Sequence, residues 1–459
     1  MYFRHCKPKG TGAPARDTEP EAFAIMIDPT IGADRAGEDF IADFTSLSRI
    51  GATSGGGVHR LAGTAEDGHL RAWFRNWLEL RDFTVAVDAV GNMFGLIEWN
   101  PGAPYVLVGS HLDSQPMAGR FDGAYGVLAA AHAAVRVRQD VAATGQTPPF
   151  NIAVVNWFNE EGARFQPSMM GSSVFTGKLS AEHVLAITDP DGVSVKQALT
   201  ALGYRGTDAA PKTVAYAEIH IEQGRHLEEN GVTIGLVDAT WAAHKYSAVV
   251  RGEQSHTGST VMADRRDALV GASRLIVALR DLADTFADSA LHTSVGQLFA
   301  LPNSPVVVAS EVRMVLDLRS ADAELLAEAD ARLHALVAAI EKRDGVHIEL
   351  TQAHFWGVQS YQAEGVDLAR AVAGELGLSS QTMMTIAGHD STNLKDVVPT
   401  VMLFVPSVDG ISHNEGELTH DDDARAGVDM LTEVLARMCR GALQDAALQH
   451  ADPAQVAKR

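Results

Sequence analysis

Cysteine is almost absent from this sequence. Among 459 residues only Cys6 and Cys439 occur, so the chain carries neither a framework of disulfides nor a zinc cluster built on thiolates. A single disulfide between the two cysteines remains open. A reducing compartment is the simplest setting for so few cysteines, and we therefore expect a cytoplasmic protein.

Positive charge is also scarce. Lys and Arg number 37 against 58 Asp and Glu, which gives a formal net charge of −21. A surface this acidic repels phosphate backbones and anionic lipids, so nucleic acid and membranes are poor partners. The apolar stretches fall short of the roughly 20 residues of a spanning helix, and no basic segment leads into an apolar one at the N-terminus. We therefore expect neither a membrane helix nor a secretory signal.

The sequence does have the length and composition of a globular protein with two domains. The chain is about three times as long as a typical domain of ~150 residues, and 46% of its residues are hydrophobic. Residues 1–26 mix proline, glycine and charge without periodicity, and residues 451–459 are polar. We expect the first segment to be a disordered extension and the second an unpacked tail.

Strand and helix patterns alternate in the first and last parts of the chain. Buried-strand signals at 105–108, 152–158, 214–219 and 401–405 each run into polar residues. This alternation predicts an α/β fold with a mainly parallel sheet covered by helices on both faces. Ligands of such sheets bind outside the carboxyl ends of the strands, where these polar residues fall.

A different pattern occupies the middle of the chain. Residues 246–356 show the order β-α-β-β-α-β, which is ferredoxin-like and complete in itself. We interpret this segment as a second domain, called the lid below, that is inserted into the first. Residues 27–245 and 357–450 then form the main domain together.

The segment GSHLDSQPMAGRFDG combines one histidine with two aspartates. Asp113 lies two residues after His111, so in an extended segment both side chains share a face. A carboxylate there can accept the second ring proton of His111 and make the ring a better metal ligand. Asp122 precedes Gly123 at the start of a helical pattern, so it is either a ligand or the N-cap of that helix.

Three further motifs lie at the ends of strand signals. NEEGARF places Glu160 beside Glu161, where one carboxylate can bind metal and the other can act as a general base; an exposed acidic turn is the alternative. The motifs HIEQG and GISHNEGE each contribute one histidine, and a lone histidine is more often structural than catalytic. Five residues from these motifs form a nitrogen and oxygen ligand set without sulfur: His111, Asp122, Glu161, His220 and His413. Such a set suits two divalent ions (zinc, manganese, cobalt or nickel) bridged by a shared carboxylate, which makes the main domain a metal-binding catalytic domain.

The motifs, in this order, resemble the hydantoinase/carbamoylase branch of the aminoacylase-type binuclear metallohydrolases. They are GGVHRLAGTAEDG, GSHLDS, GRFDGAYG, NEEGARF, HIEQG, SHTGSTVMADRRDAL, AGHDS and GISHNEGE. Members of this branch include N-carbamoyl-L-amino acid hydrolases, allantoate amidohydrolases and β-ureidopropionases. The resemblance implies that His111 and His220 hold one metal ion, that Glu161 and His413 hold the other, and that Asp122 bridges them.

The resemblance also implies roles in catalysis and substrate binding. Glu160 would be the general base that deprotonates the bridging water and passes the proton to the leaving nitrogen, while Asp113 would orient His111. Arg319 of LDLRS would pair with a substrate carboxylate; an ordinary salt bridge at the strand end is its alternative. His256 would reach the active site of a partner subunit to stabilise an oxyanion; a turn-stabilising contact is its alternative. Gln223 and His389 would provide further substrate contacts.

Two positions depart from the pattern of the family. Relatives carry an asparagine that contacts the substrate near its carboxylate, at the position where this chain has Val306. Either the substrate lacks the polar group recognised there, or a neighbour such as Asn303 replaces the contact. Ala118 stands where relatives usually have a second glycine. Both changes concern the identity of the substrate more than the class of reaction.

The sequence thus predicts a hydrolase of linear C–N bonds in a small ureido compound with a carboxylate. The preferred substrate is an N-carbamoyl-L-amino acid, which would yield the amino acid, CO2 and ammonia; allantoate amidohydrolase and β-ureidopropionase are the alternatives. An aminoacylase or dipeptidase fits less well, because His220 stands where peptidase relatives usually supply a carboxylate. A catalytically silent binding protein has no chemical need for Glu160. The resemblance further implies a homodimer formed through the lid.

Overall fold

The computed structural model describes residues 36–287 and 289–444. The predicted extension at 1–26 and tail at 451–459 lie outside the described residues. The helices are α1 (Ala36–Ser48), α2 (Ala65–Glu79), α3 (Ala124–Thr144), α4 (Met170–Phe175), α5 (Ala181–Ala186), α6 (Val195–Leu202), α7 (His226–Asn230), α8 (Ala268–Ala283), α9 (Ala323–Asp344), α10 (Ala363–Leu376), α11 (Asp390–Leu394) and α12 (Asp421–Cys439). Short 3-10 turns lie at Met262–Asp264 and Val408–Gly410.

The strands form a large sheet, a smaller sheet and a short two-stranded pair. They are β1 (Thr84–Val87), β2 (Met93–Ile97), β3 (Tyr105–His111), β4 (Asn151–Trp157), β5 (Thr213–Ile221), β6 (Ile234–Thr240), β7 (Ala242–Arg251), β8 (Ser255–His256), β9 (His292–Leu301), β10 (Val307–Val308), β11 (Glu311–Ser320), β12 (His347–Trp356), β13 (Gln359–Ser360), β14 (Ser380–Thr385) and β15 (Thr400–Val405).

The large sheet has the strand order β1-β2-β4-β3-β5-β15-β6-β13, with β14 paired to β6. The four central strands β4, β3, β5 and β15 run parallel to one another. Antiparallel pairs lie on both sides of this centre. The prediction of an α/β fold around a mainly parallel sheet is therefore confirmed.

Helices cover both faces of the large sheet. Ile152 and Val154 of β4 pack in the cluster that includes α3 and α12, whereas Val155 and Trp157 pack on the opposite face with residues of α4 and α11. Strands buried on both faces need apolar residues at successive positions, which explains the continuous apolar runs in the sequence. Helix α3 lies close against the sheet, since a Cβ at Gly126 would collide with the carbonyl of Ile219.

The parallel centre brings the sequence motifs to one edge of the sheet. β3 ends at His111, and β5 ends one residue beyond His220. Glu160 and Glu161 follow β4, and His413 lies in the loop that follows β15. Because the carboxyl ends of parallel strands point the same way, these side chains can meet above the sheet.

The smaller sheet is antiparallel, with the strand order β12-β7-β11-β9. Along the chain its elements follow the order β7-α8-β9-β11-α9-β12, which is the predicted ferredoxin-like order. It has its own hydrophobic cluster, built by α8, α9 and one face of the sheet. The boundaries of the lid at 246 and 356 stay a prediction.

Side chains on the two faces of the smaller sheet have different surroundings. Leu316 and Leu318 of β11 are buried against α8 and α9. Asp317 and Arg319 alternate with them and therefore lie on the opposite face. That face meets the main domain, because Nη1 of Arg319 donates a hydrogen bond of 2.8 Å to the carbonyl oxygen of Ile386.

Hydropathy gives no sign of a membrane helix among the residues that the structure describes. None of these helices is both long enough and apolar enough to cross a bilayer. The cytoplasmic location stays a prediction.

Candidate metal centre and active site

His111, His220 and Asp122 form a compact group of possible metal ligands. Their ligand atoms all lie within 4.8 Å of one another, and all three residues are buried. Nε2 of His220 lies 3.0 Å from Oδ1 of Asp122, and Nε2 of His111 lies 3.5 Å from the same oxygen. The two rings therefore face one carboxylate oxygen from different strands.

A second group shares Asp122 with the first. Nε2 of His413 lies 3.2 Å from Oδ2 of Asp122 and 3.3 Å from Oε2 of Glu161. These three residues also offer ligand atoms within 4.8 Å of one another. Each oxygen of Asp122 thus faces a different group, which is the arrangement of a carboxylate that bridges two ions.

The second nitrogen of each buried imidazole contacts a backbone carbonyl. Nδ1 of His220 lies 2.9 Å from the carbonyl oxygen of Ile221, and Nδ1 of His111 lies 3.0 Å from that of Asp113. A neutral ring that donates from Nδ1 keeps its lone pair on Nε2. The backbone carbonyls therefore leave Nε2 of each ring on the side of Asp122, where Nε2 of His220 also lies 3.1 Å from the backbone nitrogen of Gly123.

Asp113 orients His111, but through a different atom from the one the spacing predicts. Its carboxylate lies 3.8 Å from Nδ1 of His111, beyond hydrogen-bond distance. It instead accepts the backbone N–H groups of Glu160 and Glu161, each at 3.2 Å. The chain bends after β3, so the backbone carbonyl of Asp113 meets the ring while its carboxylate turns towards the loop after β4. Burial raises the pKa of Asp113 to about 6, although His111 opposes the shift.

The interpretation of Asp122 as a helix cap is wrong. The N-cap of α3 is Gly123, at φ 62°, and no side chain caps this helix end. A Cβ at Gly123 would collide with the ring of His111, so this glycine allows the ring to lie close to the start of α3. Burial favours the neutral form of Asp122, but in the absence of metal the protonated rings of His111, His220 and His413 outweigh burial and lower the pKa of this carboxyl group.

Glu160 and Glu161 diverge, as the sequence predicts for neighbouring residues. Oε2 of Glu160 lies 3.5 Å from Nε2 of His111. The carboxylate of Glu161 accepts the backbone N–H of Gln115 at 3.0 Å and its side-chain amide at 2.9 Å. Burial raises the pKa of Glu160, and the neighbouring carboxylates add to the shift although His111 opposes it. The exposed acidic turn is therefore ruled out at Glu160, which is buried.

These groups line a cavity of about 180 Å³ between the two sheets. The lining includes every predicted metal ligand, together with Glu160, Gln223, Arg319 and His389. Lys245 and Trp356 of the smaller sheet complete it on the side of Arg319. A larger cavity of about 810 Å³ lies on the other side of Arg319, and its lining contains none of the predicted metal ligands.

Three residues predicted to contact substrate lie in the smaller cavity. Nε2 of Gln223 donates to Asp122 Oδ2 at 2.8 Å and to the hydroxyl of Ser412 at 3.0 Å. The buried ring of His389 lies 4.5 Å from that of His220, centre to centre, and its Nε2 has no hydrogen-bond partner among the residues that the structure describes. Arg319 pairs with Asp317, so the salt bridge considered as its alternative role is present. That salt bridge does not remove Arg319 from the cavity wall.

His256 and Val306 lie away from this cavity. They occupy the short pair of β8 and β10 and the loop before it, and Val306 is 59% exposed. Nδ1 of His256 accepts the backbone N–H groups of Gly258 and Ser259 at 2.9 and 3.1 Å. The turn-stabilising contact considered for His256 is therefore present, and it leaves Nε2 as the nitrogen that carries the proton.

Sequence reasoning missed two residues that hold Asp122 in place. Oε1 of Glu417 accepts the backbone N–H groups of Phe121 and Asp122, at 2.9 and 3.1 Å. Its Oε2 accepts the hydroxyl of Ser412 at 2.9 Å, and that hydroxyl lies 3.3 Å from Asp122 Oδ2. Both residues belong to GISHNEGE, so their position in the motif of His413 was the available signal.

Comparison with known proteins gives similarities over most of the chain. The sequence model of peptidase family M20/M25/M40 matches residues 107–437. A Mycolicibacterium smegmatis protein described as a hydrolase is 59% identical over 435 residues, which cover 94% of this chain and 98% of that protein.

Relatives with more specific names are less similar. The N-carbamoyl-L-amino-acid amidohydrolase of Rhizobium meliloti is 35% identical and aligns with 87% of this chain and 95% of its own. The allantoate amidohydrolase of Bacillus subtilis is 31% identical, over 85% of this chain and 95% of its own. A crystal structure of a hydantoinase/carbamoylase family amidase from Burkholderia vietnamiensis superposes with a TM-score of 0.83 at 36% identity, over 91% of this chain and 100% of that one.

Proposed function

The chain belongs to peptidase family M20/M25/M40, and from that premise we propose that it hydrolyses linear C–N bonds other than peptide bonds, with an N-carbamoyl-L-amino acid as substrate. One observation carries the proposal. Two ligand groups share Asp122, and the carboxylate of Glu160 lies 3.5 Å from one of their histidines in the same cavity. The names of the relatives support the class of bond.

The ligand set fits two divalent ions. His111 and His220 would hold one ion and Glu161 and His413 the other, with Asp122 between them. Nitrogen and oxygen donors without thiolate suit zinc, manganese, cobalt or nickel. The crowding of Asp122 by three imidazoles supports this assignment, because a single buried carboxylate rarely needs three such partners. When bound, the ions would polarise the substrate carbonyl and make water a stronger acid.

We assign the proton transfer to Glu160. Its buried carboxyl group has a raised pKa and therefore holds a proton more readily than an exposed one. It would accept a proton from the attacking water and deliver it to the leaving nitrogen. The backbone contacts with Asp113 hold the Glu160–Glu161 turn in the orientation that this transfer requires.

Binding of the substrate carboxylate falls to the lid side of the cavity. Arg319 is a planar donor suited to a carboxylate. Gln223 and His389 lie on the metal side, where the ureido group would be placed. The unpartnered Nε2 of His389 supports a contact with substrate, since a buried polar atom without a partner is unfavourable.

Allantoate is the second candidate substrate. The similarity to an allantoate amidohydrolase extends over nearly the same part of the chain as that to the carbamoylase. Allantoate also carries a carboxylate and ureido groups, so the same cavity side chains would serve it. β-Ureidopropionase activity is a third form of the same chemistry. Val306 is apolar and exposed, so its side chain offers no hydrogen bond by which the cavity of its own subunit could distinguish these substrates.

We further propose a homodimer with the lid as its interface. Val261, Met262 and Val306 are 60%, 77% and 59% exposed. Val261 and Met262 follow His256 closely in sequence, and Val306 precedes β10, the strand that pairs with His256. Phe299 is half exposed on β9, an edge strand of the smaller sheet. Contiguous exposed apolar patches mark association surfaces, and we base the proposed interface on these residues. In the dimer, His256 would act in the cavity of the partner subunit.

A substrate panel tests the proposed function. Purified protein is incubated with N-carbamoyl-L- and D-amino acids, N-carbamoyl-β-alanine, allantoate and N-acetyl amino acids, and released ammonia or amino acid is measured. Each reaction is run with chelator, with Mn²⁺ and with Zn²⁺. We expect ammonia from an N-carbamoyl-L-amino acid only when metal is present. Failure to hydrolyse any ureido compound with any metal would refute the proposal.

A further inference from the structure

Three side chains form a charge cluster on the open face of the smaller sheet. Lys245 of β7 lies directly opposite Asp317 of β11 in the strand register, and Arg319 follows Asp317 by two residues. Residues related in this way share one face of a sheet. Nζ of Lys245 lies 3.5 Å from Oδ2 of Asp317, and Nη2 of Arg319 lies 2.7 Å from the same oxygen. The carboxylate of Asp317 thus holds both cations side by side.

Arg319 retains donors after these contacts. A guanidinium has five N–H donors. Nε and Nη2 each donate to Asp317, and Nη1 donates to the carbonyl of Ile386. One hydrogen on each Nη therefore remains for a further acceptor, such as a carboxylate of the substrate.

Lys245 also has donors to spare, and it faces the same space. Its ammonium group has three N–H donors and contacts one protein carboxylate. The side chain is 28% exposed and lines the smaller cavity beside Arg319 and Trp356. Nζ lies 5.7 Å from the centre of the Trp356 ring, within reach of a cation–π contact. Two cations and one carboxylate leave a single positive charge at this end of the cavity.

We propose that Lys245 is a second substrate-binding residue, which contacts the carboxylate of the ureido acid together with Arg319, while Asp317 positions both cations. The inference rests on the proposed function for the identity of the substrate. A net charge of one matches a monocarboxylate, whose charge would otherwise be repelled by Glu160 and by the excess of acid on the chain. A ligand without a carboxylate gains no binding energy from the two cations of this cluster.

The test compares an acid with its neutral analogue. KM and kcat are measured for N-carbamoyl-L-alanine and N-carbamoyl-L-alaninamide in metal-loaded wild type, Lys245→Met and Lys245→Arg. We expect Lys245→Met to raise KM for the acid about tenfold or more, with little change in kcat and little change for the amide. Lys245→Arg should recover most of the loss. Equal effects on acid and amide, or no effect on either, would overturn the proposal.

Two controls separate direct contact from other causes. Lys178→Met removes the same charge from a lysine that pairs with Asp396 at 2.6 Å and does not line the cavity, so it should leave both substrates unaffected. Lys245→Met is also introduced into Arg319→Met. If Lys245 only positions Arg319, the second substitution will have no further effect on the acid. If Lys245 binds the carboxylate itself, a further several-fold loss in kcat/KM remains.

Failure of the proposed function is distinguishable from failure of this inference. If wild type hydrolyses neither compound, the proposed function is wrong, and binding of N-carbamoyl-L-alanine to the metal-loaded proteins is measured by calorimetry instead. Weaker binding by Lys245→Met than by wild type and Lys178→Met supports the role of Lys245. Equal affinities, or no binding by wild type, contradict it.

Discussion

Replacement of Asp113 by Asn tests how the loop after β4 is held. The carboxylate accepts two backbone N–H groups, from Glu160 and Glu161. The amide of Asn has one oxygen, so its NH2 group would face one of these donors. A buried donor left without an acceptor costs about 1–3 kcal/mol. If the Glu160–Glu161 turn is destabilised by this amount in its productive orientation, kcat/KM should fall about 5- to 150-fold.

The same substitution should affect the two metal positions differently. The carbonyl oxygen of Asp113, which contacts the ring of His111, is unchanged by a side-chain replacement. Glu161 lies on the displaced turn. We therefore expect Asp113→Asn to lose the ion that Glu161 and His413 would hold and to keep the other, as measured by metal content per subunit after dialysis.

Double variants identify the ion that is lost. Asp113→Asn combined with His413→Ala should lose no further metal, whereas its combination with His220→Ala should lose both ions. Asp189→Asn is the control. Oδ1 of Asp189 accepts two backbone N–H groups at 3.0 and 2.8 Å and Oδ2 accepts Nε of Arg164 at 2.9 Å, so an amide there also faces a donor, but Asp189 does not line the cavity. Loss of the ion that His111 and His220 would hold would refute the reasoning, because it would indicate that the carboxylate of Asp113 itself orients the ring of His111.

Further predictions concern the base, the lid and the acidity of the site. Glu160→Gln should lower kcat about 10²- to 10⁴-fold while metal content stays unchanged; loss of metal would make Glu160 a ligand instead. His256→Ala should be inactive, and coexpression with Glu160→Gln should restore activity if His256 serves the partner subunit; no restoration would remove that role. If Val306 reaches the cavity of the partner subunit, Val306→Asn should raise kcat/KM for N-carbamoyl-L-amino acids and allantoate relative to N-acetyl amino acids, and an unchanged profile would exclude Val306 from substrate selection. The side chain of His413 is half exposed, and its hydrogen bonds with Asp122 and Glu161 outweigh its partial burial and raise its pKa to about 11 in the absence of metal. In the apoprotein His413 therefore carries a proton at neutral pH, which a metal ion must displace. Metal affinity should rise with pH, and calorimetry in buffers of different ionisation enthalpy should detect the released proton.

The metal ligands could be predicted because they lie at or beyond the carboxyl ends of the parallel strands of one sheet. His111, His220 and Glu161 are far apart in sequence, but the strand pattern sends all of them to one edge. The spacing of His111 and Asp113 correctly predicts that the two residues interact. Side-chain alternation does not specify which atom makes the contact, and the bend after β3 decides that.

The lid side of the cavity was less predictable. The identity of Arg319 was clear from its motif, but its neighbour Lys245 depends on the register between β7 and β11. A shift of one residue would send Lys245 to the face that packs on α8 and α9. Glu417 depends on a contact with the backbone of Asp122 across 295 residues, and hydrophobic patterns carry no information on such contacts.

The central claim is that Asp122 bridges two divalent ions in the cavity that contains Glu160. The most direct measurement is an anomalous difference map from crystals of protein reconstituted with zinc. We predict two peaks on either side of the Asp122 carboxylate, one near Nε2 of His111 and His220 and one near Glu161 and His413. A single peak, or peaks at other residues, would contradict the account.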